Sequence, residues 1–242
     1  MTAKRSKKGK KSKGQSVDYL TLSRTLAASY VFVLPLFLLY QAGLMKFEDA
    51  RNGTEWIFAE LFSRIEWIGS VSVNFAILGL LLIAIHRTRE RRPDLPGMYA
   101  WMFFESTLWA SALYVIAFLF PKSALSIEPL LTDLTAAIGA GIYEEALFRF
   151  ALMGGMIVVL HYWIRAPIRW AVPIAALLSA GLFSYAHHAV SGLGTEPWHW
   201  GHFLLRGLLG TLLGAIFWVR GLGIVVYTHA LYNVAVILPN YV

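Results

Sequence analysis

Glu144 and Glu145 are adjacent carboxylates, with Arg149 four residues on, inside an otherwise apolar run of Ile, Ala, Gly, Leu, Met and Val. On a helix, Glu145 and Arg149 share a face at i,i+4 and can pair. Glu144 points about 100° away, toward a different neighbour. An ionised carboxylate inside a membrane costs several kcal/mol unless something satisfies it, so such a residue marks a functional site with partners elsewhere in the chain. Two later apolar runs offer them. Phe183 and His187 share a helix face, as do His229 and Asn233. A carboxylate in a low-dielectric site has a raised pKa and becomes a usable base near neutral pH. His and Asn are suitable donors to an oxyanion. Arg149 is the counter-ion of Glu145, which removes the cost of burying either alone.

The elements that must position these residues are membrane helices. The chain has 242 residues, 57% hydrophobic and 14% charged, with a mean hydropathy of +0.58. A soluble domain carries about 25% charged residues. Several apolar runs reach the roughly 20 residues that cross hydrocarbon, which predicts an all-α polytopic membrane protein. The runs are long and continuous, without the alternation of barrel strands. There is no cysteine, which excludes disulfides, thiolate zinc sites and a cysteine nucleophile.

Seven spans are expected, near 26–45, 67–86, 98–120, 130–164, 168–190, 201–219 and 222–239. The 130–164 stretch is long for one pass; Gly139, Gly141 and the Gly154-Gly155 pair are places to bend or divide it, giving seven to eight helices in all. Pro35 suggests a kink in the first span. Residues 55–66 read as an amphipathic segment on the membrane surface. Phe203, Gly207, Gly210 and Gly214 form a stripe in span six that lets helices approach closely. Three parts follow: a basic disordered tail (1–20), N-terminal helices (21–129) and a catalytic core (130–242).

The net charge of +7 comes from the tail, where Lys4, Arg5, Lys7, Lys8, Lys10, Lys11 and Lys13 precede any apolar run. With a span following, the tail reads as a topology determinant that holds the N-terminus in the cytoplasm, not as a nucleic-acid-binding arm. Arg87, Arg89, Arg91, Arg92, Arg165, Arg169 and Arg220 fall on that same side, for an N-in, C-out arrangement. In this arrangement His187 lies toward the outer face and His229 nearer the inner one, so the site must be central or the spans must be shifted.

The ordered set Glu-Glu-x-x-x-Arg, Phe-x-x-x-His and His-x-x-x-Asn, each inside a separate apolar segment, resembles the CPBP family. These are intramembrane peptidases related to the type II CAAX prenyl endopeptidase and to bacterial Abi proteins. Glu144, Glu145 and Arg149 match the first motif, Phe183 and His187 the second, and His229 and Asn233 the fourth. Phe203 and the glycines after it fit the third loosely. The resemblance covers about Leu130 to Pro239 and implies peptide-bond hydrolysis of a membrane-associated protein or peptide within the bilayer. By that analogy Glu144 and His187 hold and deprotonate a water, His229 and Asn233 stabilise the oxyanion, and Glu145 and Arg149 fix the helix geometry.

Other readings use the same residues. Glu144, His187 and His229 form a two-His, one-carboxylate set of the kind catalytic zinc demands. The His-Glu-x-x-His helix of zinc proteases is absent, however, which favours a metal-free mechanism with no cofactor. The marks of two other intramembrane protease types, Gly-x-Ser-x-Gly and Gly-x-Gly-Asp, are also absent. Buried Glu, Arg and His also mark ion paths in transporters, although no second half resembles the first. A non-catalytic membrane scaffold is the remaining alternative.

Overall fold

A computed structural model describes residues 18–47, 96–119, 130–189 and 198–241, with single positions 50, 54, 79, 82, 83 and 86 between them. Residues 1–17 of the basic tail, the amphipathic segment at 55–66, nearly all of the second expected span and the loop at 191–197 lie outside the described residues, while Tyr19 and Leu20 at the end of the tail are helical.

The described elements are all helical. They are α1 (Tyr19–Ser23), α2 (Leu26–Leu44), α3 (Pro96–Phe118), α4 (Leu130–Trp163), α5 (Ile168–Ala189), α6 (Trp200–Arg220) and α7 (Leu222–Ile237). Five of them, α2 to α6, are long and apolar enough to cross a membrane. The chain is thus a polytopic helical membrane protein. Boundaries read from hydropathy agree with α2, α3, α5, α6 and α7 to within two residues.

Local chemistry explains the ends. The Thr25 side chain caps α2 by accepting from the Ala28 N–H at 3.2 Å. Gly221, at φ +85°, makes the turn between α6 and α7, a conformation that glycine adopts without steric cost. The helix α2 continues past Pro35.

Helix α4 is one continuous element, undivided at Gly154-Gly155. Both flanks of that pair keep right-handed helical dihedrals. The helix widens instead, into π turns over Glu145–Met153 and again over Val159–Trp163. Such wide turns are frequent at functional sites. The wide turn begins at Glu145 and exposes backbone oxygens that must find other partners. One of them, Phe148 O, accepts from Ser179 Oγ of α5 at 2.6 Å.

Small residues set the packing around α4. A Cβ on Gly141 would lie 2.7 Å from Ala230 Cβ and 2.9 Å from Ala230 N, so α4 and α7 touch backbone to backbone. A Cβ on Gly139 would collide with the Tyr40 ring, which fixes α2 against α4. Gly210 and Gly214 play the same part between α6 and α5: added methyls would press on Ala180, Phe183 and Ala176. Gly207 has open space at the same test, so the stripe on α6 serves close packing at two of its three glycines.

The register follows from these contacts. Phe148 meets Phe183 and Gly214 meets Met153 and Ala176, so α4 and α5 run antiparallel, as do α5 and α6. Tyr241 donates to Asp133 at 2.7 Å, and Gly141 meets Ala230, so α7 runs antiparallel to α4. A core of Phe32, Tyr40, Met102, Tyr143, Leu213, Ile224 and their neighbours fills the space between α2, α3, α4, α6 and α7.

Candidate active site

The site is built where the wide turn of α4 meets the middle of α7 and the end of α5. Glu144, Glu145, Arg149 and His229 are all buried, between 0% and 4% exposed, so each charge must be met by another. His229 Nδ1 lies 2.7 Å from Glu145 Oε1. Its Nε2 lies 3.8 Å from Glu144 Oε2. One imidazole therefore bridges the two carboxylates. A carboxylate only accepts, so Nδ1 donates to Glu145 and Nε2 is the nitrogen that faces Glu144.

Arg149 Nη1 sits 3.1 Å from Glu145 Oε1, as the i,i+4 spacing predicts. This is a charge contact without hydrogen-bond alignment, since Nη1 makes no hydrogen bond. Nη2 donates to Gly210 O of α6 at 3.3 Å. The guanidinium also lies over the Phe183 ring, 4.5 Å from its centre, a cation–π arrangement. Arg149 thus joins α4, α5 and α6 through one planar group.

Phe183 is the hub of the apolar side. Its ring meets Phe148 at 5.2 Å, His187 at 4.8 Å and His229 at 6.1 Å, all edge-on. His187 Nδ1 lies 2.9 Å from Phe183 O, one helical turn back. A carbonyl only accepts, so Nδ1 carries the proton and a neutral ring keeps the Nε2 lone pair as a base. Glu144, Arg206 and His229 all act electrostatically on His187. Asn233 is half-buried on α7, one turn beyond His229.

The structure also resolves the apparent mismatch in depth. His187 lies near the end of α5, yet antiparallel packing of α5 on α4 brings that end level with Glu144 and Glu145. His229 is central because α7 is short, 16 residues or about 24 Å. Glu144, Glu145, Arg149, Phe183, His187 and His229 are brought together, and Asn233 lies one helical turn beyond His229.

Three contributors went unnoticed in the sequence. Ser179 holds the wide turn through Phe148 O, and Ser184 Oγ donates to Phe203 O at 2.8 Å, fixing α5 to α6. Arg206 is a cation inside span six whose field reaches His187 and Tyr232. Its signal was available, because a charge within an apolar run is the criterion that singled out Glu144.

The family described as Rce1-like, the type II CAAX prenyl endopeptidases, matches residues 126–235. That segment is similar to the Rce1-like family. It contains all of the site residues above, from Glu144 to Asn233, in agreement with the expected CPBP relationship. The match supports a CAAX-type protease activity in general, set in membrane helices. No curated protein and no solved structure matches the chain significantly. Among the described residues, no three His, Asp or Glu side chains are grouped to hold a metal ion, the set Glu144, His187 and His229 included.

Proposed function

We propose that the protein is an intramembrane endopeptidase that hydrolyses a peptide bond of a membrane-associated protein or peptide through a water activated by glutamate. Glu144 and the Nε2 lone pair of His187 hold the water. Glu144 takes its proton as the oxygen attacks the carbonyl carbon. His229, protonated on both ring nitrogens between the two carboxylates, donates from Nε2–H to the resulting oxyanion together with Asn233, and Glu144 then returns the proton to the leaving amine. One C–O and one N–H bond thus form as one water O–H bond and the C–N bond break, and Glu144 ends as it began.

The observation that carries the reading is the buried bridge of His229 between Glu144 and Glu145. A merely structural salt bridge needs one carboxylate per cation. Here a second carboxylate faces the other nitrogen of a histidine, in a low-dielectric setting where its field acts strongly on a reacting group. The family match supports the reaction class, and its CAAX substrates extend the reading to a prenylated C-terminal peptide.

The test uses purified wild type, Glu144→Ala, His187→Ala and His229→Ala in detergent. Each is incubated with a membrane-peptide library that includes farnesylated CAAX peptides, with and without a strong chelator, and new termini are read by mass spectrometry. Cleavage by wild type in chelator, lost in all three variants, is the expected result. Loss in chelator with recovery on adding zinc would move the mechanism to a metal-activated water. Cleavage by Glu144→Ala equal to wild type would sink the peptidase reading and leave a scaffold or transporter.

A further inference from the structure

Among the described residues Glu145 makes one hydrogen bond, and it goes to His229 Nδ1 at 2.7 Å. Its other oxygen, Oε2, is buried without a hydrogen-bond partner. Arg149, the partner expected from the i,i+4 spacing, lies close but misaligned, and its own aligned bond goes to Gly210 O. The directional interaction of Glu145 is therefore spent on the imidazole of a different helix, 84 positions along the chain.

We propose that Glu145 is a positioning residue for hydrolysis: it holds the Nδ1 proton of His229 and so fixes the ring with Nε2 turned toward Glu144 and the reacting carbonyl. This rests on the peptidase reading, in which His229 faces the oxyanion. Three features support it beyond the bond itself. Both partners are buried, at 0% and 4% exposed, so no solvent competes for Nδ1. A charge-assisted bond of this length is about twice as strong as a neutral one, and it sets the ring angle so that the Nε2–H of the doubly protonated ring points at the oxyanion. The contact of Gly141 with Ala230, beside both residues in sequence, holds the two backbones at the separation the bond needs. In this arrangement Arg149 supplies charge balance and anchors α4 to α6, while Glu145 orients the ring. A purely architectural role for the Glu145–Arg149 pair makes a different prediction, because removing both charges together would then restore everything.

The experiment compares full-length wild type, Glu145→Leu/Arg149→Leu and Glu145→Gln in detergent, labelled with ¹⁵N-histidine. The His229 resonances are assigned by their loss in His229→Ala. The double variant leaves no buried charge orphaned, so it is expected to fold. In wild type Nδ1 carries a strongly deshielded proton; the double variant loses that resonance. On a farnesylated CAAX peptide its kcat falls about 100-fold, the scale of one lost oxyanion donor, with KM nearly unchanged. Glu145→Gln keeps an acceptor, so it retains the Nδ1 proton at a less deshielded position and recovers part of the kcat. An Nδ1 resonance unchanged in the double variant, or kcat restored to the wild-type value, overturns the positioning role. Should the double variant not fold, an unchanged Nδ1 shift in Glu145→Gln overturns it instead. Equal cleavage by wild type and Glu144→Ala would remove the hydrolytic reading, and the positioning role with it, through a separate readout.

Discussion

At the scale of residues, four buried ionisable groups, Glu144, Glu145, Arg149 and His229, meet in one place. Their cost in the bilayer is tolerable only because each faces a group of opposite tendency. Arg149 is the member whose loss the others can least absorb. Arg149→Ala leaves Glu145 buried beside Glu144 with the cation gone and Gly210 O without its donor. Breaking one partner of such a pair costs about 3–5 kcal/mol. Thermal unfolding in detergent should show a large drop in midpoint for Arg149→Ala. Glu144→Ala should fold with a midpoint near wild type while losing activity by about 10²–10⁴-fold, the usual contribution of a general base. A wild-type midpoint for Arg149→Ala would mean that the pair is not stabilising the fold.

The helices themselves carry the geometry. Helix α4 places Glu144 and Glu145 at the start of its wide turn, and α7 places His229 beside Gly141. That contact has no slack. Gly141→Ala puts a methyl within 3 Å of Ala230 and must push α7 away at the position next to His229. A displacement approaching 1 Å at a reacting group costs about 10²-fold in rate. Gly207→Ala is the matched control on α6, where a methyl meets nothing within 4 Å. Substitutions of that kind change stability by about 0.5 kcal/mol at most. The expected outcome is a large loss of kcat for Gly141→Ala and wild-type behaviour for Gly207→Ala. Equal kinetics in the two would show that the close approach of α4 and α7 is not what sets the site.

At the scale of the whole molecule, a second polar cluster closes one end of the bundle. Arg220 at the end of α6 pairs with Glu105 of α3 and donates to Ser23 Oγ of α1 at 2.9 Å. Tyr19 OH donates to Glu105 at 2.8 Å, so α1, α3 and α6 are tied together. Burial, and then the Glu105 hydrogen bond, push the Tyr19 phenol up from its ordinary 10.0 to about 12. A group whose folded pKa is raised contributes stability that is complete below the unfolded value. That contribution is therefore present below about pH 10 and lost as pH rises through about 12. The difference in tyrosinate absorbance between wild type and Tyr19→Phe should show a transition near 12; one near 10 would mean that the lock is open. The same end carries Arg165, Arg169 and Arg220, which the charge bias assigns to the cytoplasm. Since the chain has no cysteine, Ser12→Cys and Val242→Cys give clean labelling sites. In intact cells an impermeant maleimide should label Val242→Cys and reach Ser12→Cys only after permeabilisation. The reverse pattern would overturn the N-in, C-out proposal.

Composition and spacing by themselves determined the membrane class, the limits of the described helices and the identity of the residues that converge on one place, Glu144, Glu145, Arg149, Phe183, His187 and His229. Each of these follows from a one-dimensional signal: runs of about 20 apolar residues, Pro and Gly at their ends, and charges where hydrocarbon forbids them. The i,i+4 contact of Glu145 with Arg149 was equally legible, because helical periodicity alone brings those side chains near. Tertiary structure decided the rest. The Gly154-Gly155 pair looked like a break, but glycine only permits one, and packing of α5 against α4 keeps the helix whole and stores the irregularity as wide turns. Likewise, His187 and His229 are placed at different depths by span counting. Only the antiparallel register of α5 on α4, and the shortness of α7, bring both to the carboxylates. The bond of Glu145 to His229 lies furthest from reach, because its partner is 84 positions away and its direction depends on the rotation of two helices about their axes. Rotation of that kind is set by contacts such as Gly141 on Ala230, which periodicity does not encode.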